Sequence, residues 1–257
     1  MGLARVIVVE DNAALRAFVG AALQGMDIDL VVCAGVAEAM QALASGPGAQ
    51  LVLTDLMLHR ESGMALVEQL TGDLALHKVT RVAVFSASVD ALVRQRLAEL
   101  GVRHILPKPI SAVDLQAFVL AALGDSNLEA AADVASSVAP VLGVNGGESA
   151  EAQSIARFFA GDAELHAAFK ASCILQFHDD VLAGDAACQS GDAHGLRRLG
   201  HSLATVLDTL GYAATANLAH ELDGLATAGD QPRACEAWRS LRTGLVALCT
   251  QLPEGTG

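Results

Sequence analysis

Five short runs of β-branched and other apolar residues, separated by amphipathic stretches, dominate the first half of the chain. The runs cover residues 6–9, 30–33, 51–54, 82–85 and 103–106. Strands that alternate with helices are typical of a parallel, doubly wound sheet, so the pattern predicts a five-stranded α/β fold. In such sheets a ligand binds beyond the carboxyl ends of the strands. The residues that directly follow each run are therefore the first candidates for chemistry.

The second half of the chain shows a different pattern. Residues 124–150 are rich in Ala, Ser, Gly and Val without a strong period, which indicates a linker, with a short helix near residues 128–137. No β-rich run follows; helical patterns cover residues 151–160, 162–189, 192–210, 213–228 and 232–251, with glycines at the breaks. We therefore predict an α/β domain over residues 1–123, a linker over 124–150 and an all-α helix bundle over 151–252.

Composition excludes several classes of function. The formal net charge is −13, with only 16 Lys and Arg residues and no basic stripe, so nucleic acid is not expected as a direct partner. No apolar run approaches the roughly 18 residues of a membrane span, and the first residues lack a signal-peptide pattern. We expect a cytoplasmic protein that does not contact a membrane. The five cysteines lack C-x-x-C spacing and are expected to be reduced and mostly buried.

Acidic residues follow two of the predicted strands. Glu10 and Asp11 come after the first strand and Asp55 after the third, which puts three carboxylates at one edge of the sheet. Carboxylates packed together repel each other unless a hard cation joins them, and Mg²⁺ is the natural candidate. Ser86 and Lys108 follow strands four and five at the same edge. A nucleophilic carboxylate, a divalent ion, a hydroxyl group and an ammonium group are the parts needed to hold a phosphoryl group on an aspartate.

This arrangement resembles the receiver domain of response regulators over residues 4–123. The resemblance rests on Glu10-Asp11-Asn12, Asp55-Leu-Met with Gly63 closing the loop, Ser86-Ala87 and Lys108-Pro109. It implies that Asp55 is the phosphoacceptor and that Ser86 and Lys108 contact the phosphoryl group. It also implies that Glu10, Asp11, Asp55 and the backbone carbonyl of Met57 hold Mg²⁺.

Two positions depart from the receiver pattern. His59 stands in the loop after Asp55 where such domains usually carry Pro, which predicts a different loop rigidity. Ile105 stands three residues before Lys108, where receivers commonly place an aromatic residue that moves inward on activation. The resemblance to an aromatic switch therefore stops at this position, and the helix near residues 89–100 is the surface expected to change.

A histidine in the helical half is the second candidate site. If residues 192–211 form a helix with about 100° per residue, the leucines and Val206 gather on one face, and His201 falls on the opposite face. This placement predicts a solvent-facing imidazole on a rigid helix, next to the small side chains of Ala204 and Thr205, which would let a partner approach. Such an imidazole is a suitable nucleophile toward an acyl phosphate.

The segment 176–211 is similar to histidine phosphotransfer (HPt) domains. It contains a Gly-Asp turn, then Leu-Arg-Arg, and then His201 followed by x-Leu. The resemblance implies that His201 carries a phosphoryl group. Ala204 stands where HPt domains usually have a Lys that assists the phosphate, and Thr205 stands where they usually have a small Gly. Arg197 and Arg198 could supply part of the missing positive charge.

Asp208, two turns after His201, adds a negative charge that would weakly oppose an anionic ligand. The other histidines of the chain are read as packing or surface residues without metal-ligand spacing.

Three functions compete on these observations. The first is a phosphorelay protein: a sensor histidine kinase phosphorylates Asp55, and phosphate moves to or from His201, within the chain or through another receiver or HPt protein. The second is an adaptor in which Asp55 gates a helical module that binds kinases or receivers without carrying phosphate. The third, a haloacid-dehalogenase-like phosphatase, needs a carboxylate two residues after the nucleophile, where Met57 stands. The chain is therefore predicted to be a phosphotransfer protein rather than a turnover enzyme.

Overall fold

The structure is a computed structural model and describes residues 2–58, 62–72, 80–87, 89–124 and 149–250. These residues divide into two compact units. The first comprises the described residues up to 124 together with 157–160, and the second comprises 149–156 and 161–250. Most of the predicted linker lies outside the described residues, as does the short helix predicted within it.

The first unit is built on a parallel sheet of five strands. They are β1 (Ala4–Val9), β2 (Ile28–Cys33), β3 (Leu51–Thr54), β4 (Arg81–Ser86) and β5 (His104–Pro107). The strand order is β2-β1-β3-β4-β5, and every neighbouring pair is parallel. The order reverses direction beside β1, because the chain goes first to β2 on one side and then to β3 on the other. Loops after β1 and β3 therefore border the crevice in which doubly wound sheets bind ligands.

Helices cover both faces of this sheet. They are α1 (Ala13–Ala22), α2 (Val36–Ser45), α3 (Gly63–Gly72), α4 (Ala91–Glu99) and α5 (Ala112–Leu123). Ile7 and Val9 of β1 pack in one apolar cluster with residues of α2 and α3. The alternate β1 residues point to the opposite face, and α1 and α5 pack against each other, joined by a hydrogen bond from the Gln116 side chain to the Ala22 carbonyl at 2.6 Å.

The second unit is helical throughout its described residues. The helices are α6 (Ala150–Phe158, whose last two residues are grouped with the first unit), α7 (Ala163–Ser190), α8 (Ala193–Leu210), α9 (Ala213–Thr227) and α10 (Gln231–Cys249). Aspartates cap several of them: Asp192, for example, accepts a hydrogen bond from the Gly195 N–H at 2.8 Å. Gly191 and Gly211 end α7 and α8 with left-handed backbone angles, which glycine adopts without strain. These caps explain why the sequence predicted the helix boundaries closely.

Trp238 anchors the core of the second unit. Its side chain is 1% exposed, and its indole N–H donates to the Asp185 carboxylate at 2.9 Å. A Cβ at Gly184 would lie 2.1 Å from the indole ring, so the glycine makes room for the ring where α10 packs on α7. α8 packs against α7 and α9 together. The prediction of a five-stranded parallel sheet followed by an all-α region is confirmed.

Two further findings concern the cysteines and the helices. The five cysteines are free; Cys33 and Cys173 are buried and the other three are half-buried, so fewer are buried than expected. Among the described residues, no helix combines the length and apolar character that a membrane span requires.

Candidate functional site

Three carboxylates meet at the carboxyl ends of β1 and β3. Glu10 and Asp11 follow β1, and Asp55 follows β3. The Asp55 N–H donates to the carbonyl oxygen of Val9 at 3.0 Å, which keeps the two strand ends side by side. One carboxylate oxygen of each acidic residue lies within 4.8 Å of those of the other two. We call Glu10, Asp11 and Asp55 the acidic cluster.

Two members of the acidic cluster are buried. Glu10 is 1% exposed and Asp55 is 4% exposed, whereas Asp11 is half-buried. Burial, which disfavours the charged form, raises the pKa of Glu10 to about 7; Lys108 opposes this shift, and the negative charge of Asp55 adds to it. Burial and the negative charge of Asp55 therefore make ionisation of Glu10 less favourable than in water.

Lys108 brings a positive charge to the acidic cluster from the end of β5. Its ammonium group donates to Asp55 Oδ2 at 2.6 Å and also to Glu10 Oε2. It lies 4.7 Å from the centre of the Phe85 ring, which attracts the cation further. Burial by itself lowers the pKa of Lys108, but the charges of Asp55 and Glu10 outweigh burial and raise this pKa above its usual value. The lysine therefore stays charged.

The negative charge at this edge of the sheet exceeds the positive charge, which favours binding of a divalent cation. When all three carboxyl groups are ionised, they and the one ammonium group sum to a charge of −2. A buried site with uncompensated charge is unfavourable, and a doubly charged ion would neutralise it. All of the donors are oxygen atoms, the ligand type that Mg²⁺ prefers. The residues therefore fit Mg²⁺.

Ser86 and Met57 lie next to the acidic cluster. Ser86 is the last residue of β4, is 3% exposed, and accepts the Lys108 backbone N–H on its carbonyl oxygen at 3.1 Å. The N–H of Met57 donates to Asp55 Oδ1 at 3.0 Å, which orients the Asp55 carboxylate. The structure thus brings together all the residues that the sequence predicted for this site. Their roles toward a phosphoryl group or an ion stay predictions.

Gly63 closes the loop after Asp55 for a steric reason. A Cβ at this position would lie 1.8 Å from the carbonyl oxygen of Asp55, so a side chain cannot fit without moving the backbone. The Gly63 N–H donates to the Leu56 carbonyl at 3.2 Å, and Met57 pairs with Ser62 across the loop. His59 lies outside the described residues, so the predicted change in loop rigidity stays a prediction.

Ile105 occupies the position where receiver domains commonly have an aromatic residue. It is half-buried and packs against the cluster formed by Val67, Val84, Leu97 and Val102. The side chain therefore joins β5 to the helices α3 and α4 through ordinary apolar packing.

Arg16 is a contributor that the sequence argument missed. Its guanidinium donates to the carbonyl oxygen of Glu10 at 3.0 Å and also to that of Asp11. These bonds hold the backbone of the loop from which two of the carboxylates project. A basic residue one turn into the helix that follows an acidic loop is the signal that could have identified it.

His201 does not face solvent as the helical wheel predicted. It is 6% exposed, and Ala204 and Thr205, expected to leave space for a partner, are 2% and 3% exposed. The physical reason is close packing between α8 and α9: a Cβ at Gly200 would lie 2.7 Å from the backbone nitrogen of Asp223. The small residues of α8 admit a neighbouring helix of the same unit, so nearly the whole circumference of α8 is buried.

Asp223 of α9 is the contact of His201 that the sequence did not reveal. Its Oδ2 lies 3.4 Å from His201 Nδ1, and its Oδ1 lies 3.9 Å from the Nε of Arg197. The positive charge of Arg197 is therefore paired with a carboxylate. The signal that could have identified Asp223 is its position, because it shares a helical stripe with the buried residues Ala219 and Ala226.

Asp208 also has a partner. Its Oδ2 lies 2.9 Å from Nε2 of His220, and both side chains are partly exposed. When His220 is protonated, this pair reduces the repulsion that Asp208 was expected to exert on an anionic ligand.

The similarity to known proteins lies in the first unit. Residues 6–120 match the family model of the response regulator receiver domain. A sensor histidine kinase, TmoS of Ectopseudomonas mendocina, is 34% identical over 115 residues, which are 45% of this chain and 12% of that protein. Hybrid signal transduction histidine kinase D of Dictyostelium discoideum is 31% identical over 115 residues, 45% of this chain and 7% of that protein.

One solved structure to which this chain is similar is the chemotaxis response regulator CheY4 of Vibrio cholerae. It is 21% identical, with 47% of this chain and 99% of that chain covered and a TM-score of 0.42. In contrast, this chain spans only a small part of the two histidine kinases that it matches. The parallel sheet, the acidic cluster and the family match over residues 6–120 lead to one conclusion: the first unit contains a response regulator receiver domain of two-component signalling.

Proposed function

We propose that the receiver domain accepts a phosphoryl group on Asp55 from a sensor histidine kinase. The observation that carries this proposal is the acidic cluster with Lys108 at the carboxyl ends of parallel strands. Asp55 is taken as the acceptor by its resemblance to receiver domains; the Met57 N–H orients one of its oxygens, and Lys108 contacts the other. The kinase would be a partner protein that brings a phosphohistidine to this edge.

The transfer requires simple chemistry from the protein side chains. A carboxylate oxygen of Asp55 attacks the phosphorus atom of the phosphohistidine, and the P–N bond breaks with its electron pair returning to the imidazole. The ammonium group of Lys108 and the hydroxyl group of Ser86 would bind oxygens of the transferred group. Phe85 lies against the Lys108 ammonium group, so the cation is already held in place before the phosphoryl group arrives.

Mg²⁺ would be held by Glu10, Asp11, Asp55 and the carbonyl oxygen of Met57. When bound, it would neutralise negative charge that the acidic cluster and the incoming phosphoryl group share. The supporting observation is that three carboxylates, two of them buried, lie together with one ammonium group, so that the fully ionised site has a charge of −2.

The test is phosphoryl transfer from a labelled sensor histidine kinase to the full chain. We expect Asp55→Asn to abolish labelling, and removal of Mg²⁺ with EDTA to reduce it at least about a hundredfold. Asp27→Asn, which removes an exposed carboxylate before β2, is the matched control and should label like wild type. Labelling of the Asp55→Asn variant would contradict the proposal.

For the second unit we propose a carrier role, in which His201 receives phosphate from an aspartyl phosphate of this or another receiver domain, or exchanges it with another HPt protein. Two observations support it: the pattern around His201, and the contact of Asp223 with Nδ1, which leaves Nε2 as the nucleophilic nitrogen. Because His201 is 6% exposed, transfer requires a local opening that uncovers the ring.

The adaptor role is the second candidate, and the burial of His201 favours it. If the ring never becomes accessible, the helical unit binds kinases or receivers through its surface and carries no phosphate. Diethyl pyrocarbonate, which modifies accessible neutral imidazoles, separates the two roles. His194 is an exposed histidine of the same helix and serves as the internal reference. Modification of His201 within about a hundredfold of the His194 rate supports the carrier role, and complete protection supports the adaptor role.

A further inference from the structure

The last turns of α7 pack closely on the first half of α10. A Cβ at Gly184 would lie 2.1 Å from the Trp238 ring, so a glycine is needed for the helices to approach this far. The Trp238 indole N–H and the Arg242 Nε both donate to the Asp185 carboxylate, at 2.9 and 3.0 Å. These contacts hold the two helix segments together and determine which of their residues face each other.

Cys188 and Cys235 face each other in this packing. The two helices run antiparallel, because the earlier part of α7 contacts the end of α10 through the thiol of Cys249. Cys188 lies one turn after Gly184, and Cys235 lies one turn before Trp238, so the same register brings the two cysteines together. The Cys235 thiol donates to the carbonyl oxygen of Cys188 at 4.0 Å.

The two thiols are in contact and partly accessible. They are hydrogen-bonded to each other, and both residues are half-buried. Burial, together with the hydrogen bond to Cys235, raises the pKa of Cys188 to about 12, so this thiol stays protonated. A protonated thiol is a poor nucleophile, and the first reaction with an oxidant therefore falls to Cys235.

We propose that Cys188 and Cys235 form a peroxide-sensitive modification site, at which a reversible disulfide joins α7 to α10. The Cys235 sulfur attacks one oxygen of hydrogen peroxide, the O–O bond breaks, and a sulfenic acid and water result. The Cys188 sulfur then attacks the Cys235 sulfur, the S–O bond breaks, and the departing hydroxide takes up the Cys188 proton to give a second water. The thiol pair is oxidised and the peroxide is reduced. A small thiol such as glutathione reverses the modification by thiol–disulfide exchange.

The disulfide would close a loop that contains α8 and α9. Cys188 and Cys235 are 47 residues apart, and the helices between them include the one that carries His201. A cross-link over a loop of this length stabilises the folded state chiefly because it restricts the unfolded chain. We expect the oxidised helical unit to unfold at a temperature about 10 °C higher than the reduced one. The site uses no residue of the proposed phosphoryl transfer.

The first test treats the full chain with a small excess of hydrogen peroxide, blocks the remaining thiols and identifies cross-linked peptides by mass spectrometry without reduction. We expect an intramolecular link between Cys188 and Cys235 that dithiothreitol reverses. Cys188→Ser and Cys235→Ser should lack the link. Cys249→Ser removes another half-buried thiol of α10 and, as the matched control, should form the link like wild type. A link between other cysteines, or a sulfinic acid without any link, would overturn the proposal.

The second test uses a buffer of reduced and oxidised glutathione, which measures the equilibrium rather than the rate of oxidation. A disulfide that stabilises the folded bundle must form more readily in the folded chain than in the chain unfolded by urea. We expect the equilibrium constant for the link between Cys188 and Cys235 to be at least about a hundredfold larger in the folded chain. Equal constants would show that the native packing does not hold the thiols in a bonding geometry, and the proposal would fail. Circular dichroism verifies that each serine variant is folded.

Discussion

Replacing Gly63 by alanine tests the geometry of the receiver site most sharply. The added Cβ would lie 1.8 Å from the carbonyl oxygen of Asp55, whereas real contacts of this kind are not found below 3.0 Å. The start of α3 and the backbone of Asp55 must therefore separate by roughly 1.2 Å, the difference between these two distances. Such a shift also disturbs the hydrogen bond from the Met57 N–H that orients the carboxylate.

The magnitude follows from the cost of backbone displacement. Overpacking at a buried contact costs about 1–3 kcal/mol, so we expect the free energy of unfolding to fall by about 2 kcal/mol. A displacement of about 1 Å at a reacting group costs about a hundredfold in rate, so labelling of Asp55 by acetyl phosphate should slow by about that factor. Urea unfolding followed by circular dichroism measures the first effect, and labelling kinetics measure the second.

Gly72→Ala is the matched control. Gly72 is the last residue of the same helix, and an added Cβ there meets nothing within 4 Å. We expect the free energy of unfolding of this variant to stay within a few tenths of a kcal/mol of wild type. Its labelling rate should equal that of wild type. If Gly63→Ala labels as fast as Gly72→Ala and is equally stable, then the contact with Asp55 does not determine the site, and the steric argument is wrong.

Three further predictions concern buried charge and helix packing. Lys108→Met leaves two buried carboxylates without their cation and should destabilise the receiver unit by about 3 kcal/mol at pH 8 in urea unfolding. The loss should be smaller at lower pH, because the carboxyl groups take up protons. Mg²⁺ should restore part of the lost stability. Gly200→Ala should destabilise the bundle by about 2 kcal/mol, because its Cβ would lie 2.7 Å from the Asp223 nitrogen, while Gly224→Ala should stabilise it by about 0.5–1 kcal/mol; equal effects in thermal unfolding would contradict this packing. Burial lowers the pKa of His166 in the folded state, so the unfolded chain binds a proton on this ring more tightly, and stability falls as pH decreases below 6.5. The loss of stability between pH 7.5 and 5.5 should be smaller in His166→Gln than in wild type. An identical loss would refute the role of His166 in this pH dependence.

The receiver site could be predicted from the sequence because its residues follow strands. In a parallel sheet, every residue that follows a strand lies at the same edge, so Glu10, Asp55 and Lys108 meet although they are far apart in the chain. The length and composition of the runs were enough to place the strands. Arg16 was missed because it acts through the backbone carbonyls of Glu10 and Asp11, whereas the sequence argument considered only side chains that could contact a phosphoryl group or an ion.

The burial of His201 could not be predicted from one helix alone. A helical wheel assigns one buried face to α8, but α8 packs against both α7 and α9, and Gly200 brings α9 close on the side that was expected to face solvent. Small residues on a helix permit either an approaching partner or a neighbouring helix, and only the tertiary arrangement decides between them. Asp223 follows the same logic, since its contact with His201 joins two helices.

The measurement that tests the central claim most directly is the chemical stability of the label after transfer from a sensor histidine kinase to wild type, Asp55→Asn and His201→Gln. An acyl phosphate is lost in base, and a phosphohistidine is lost in acid. We predict base-labile label on wild type and on His201→Gln, none on Asp55→Asn, and an additional acid-labile label that disappears in His201→Gln. A base-labile label that persists on Asp55→Asn would contradict the claim that this receiver domain accepts phosphate on Asp55.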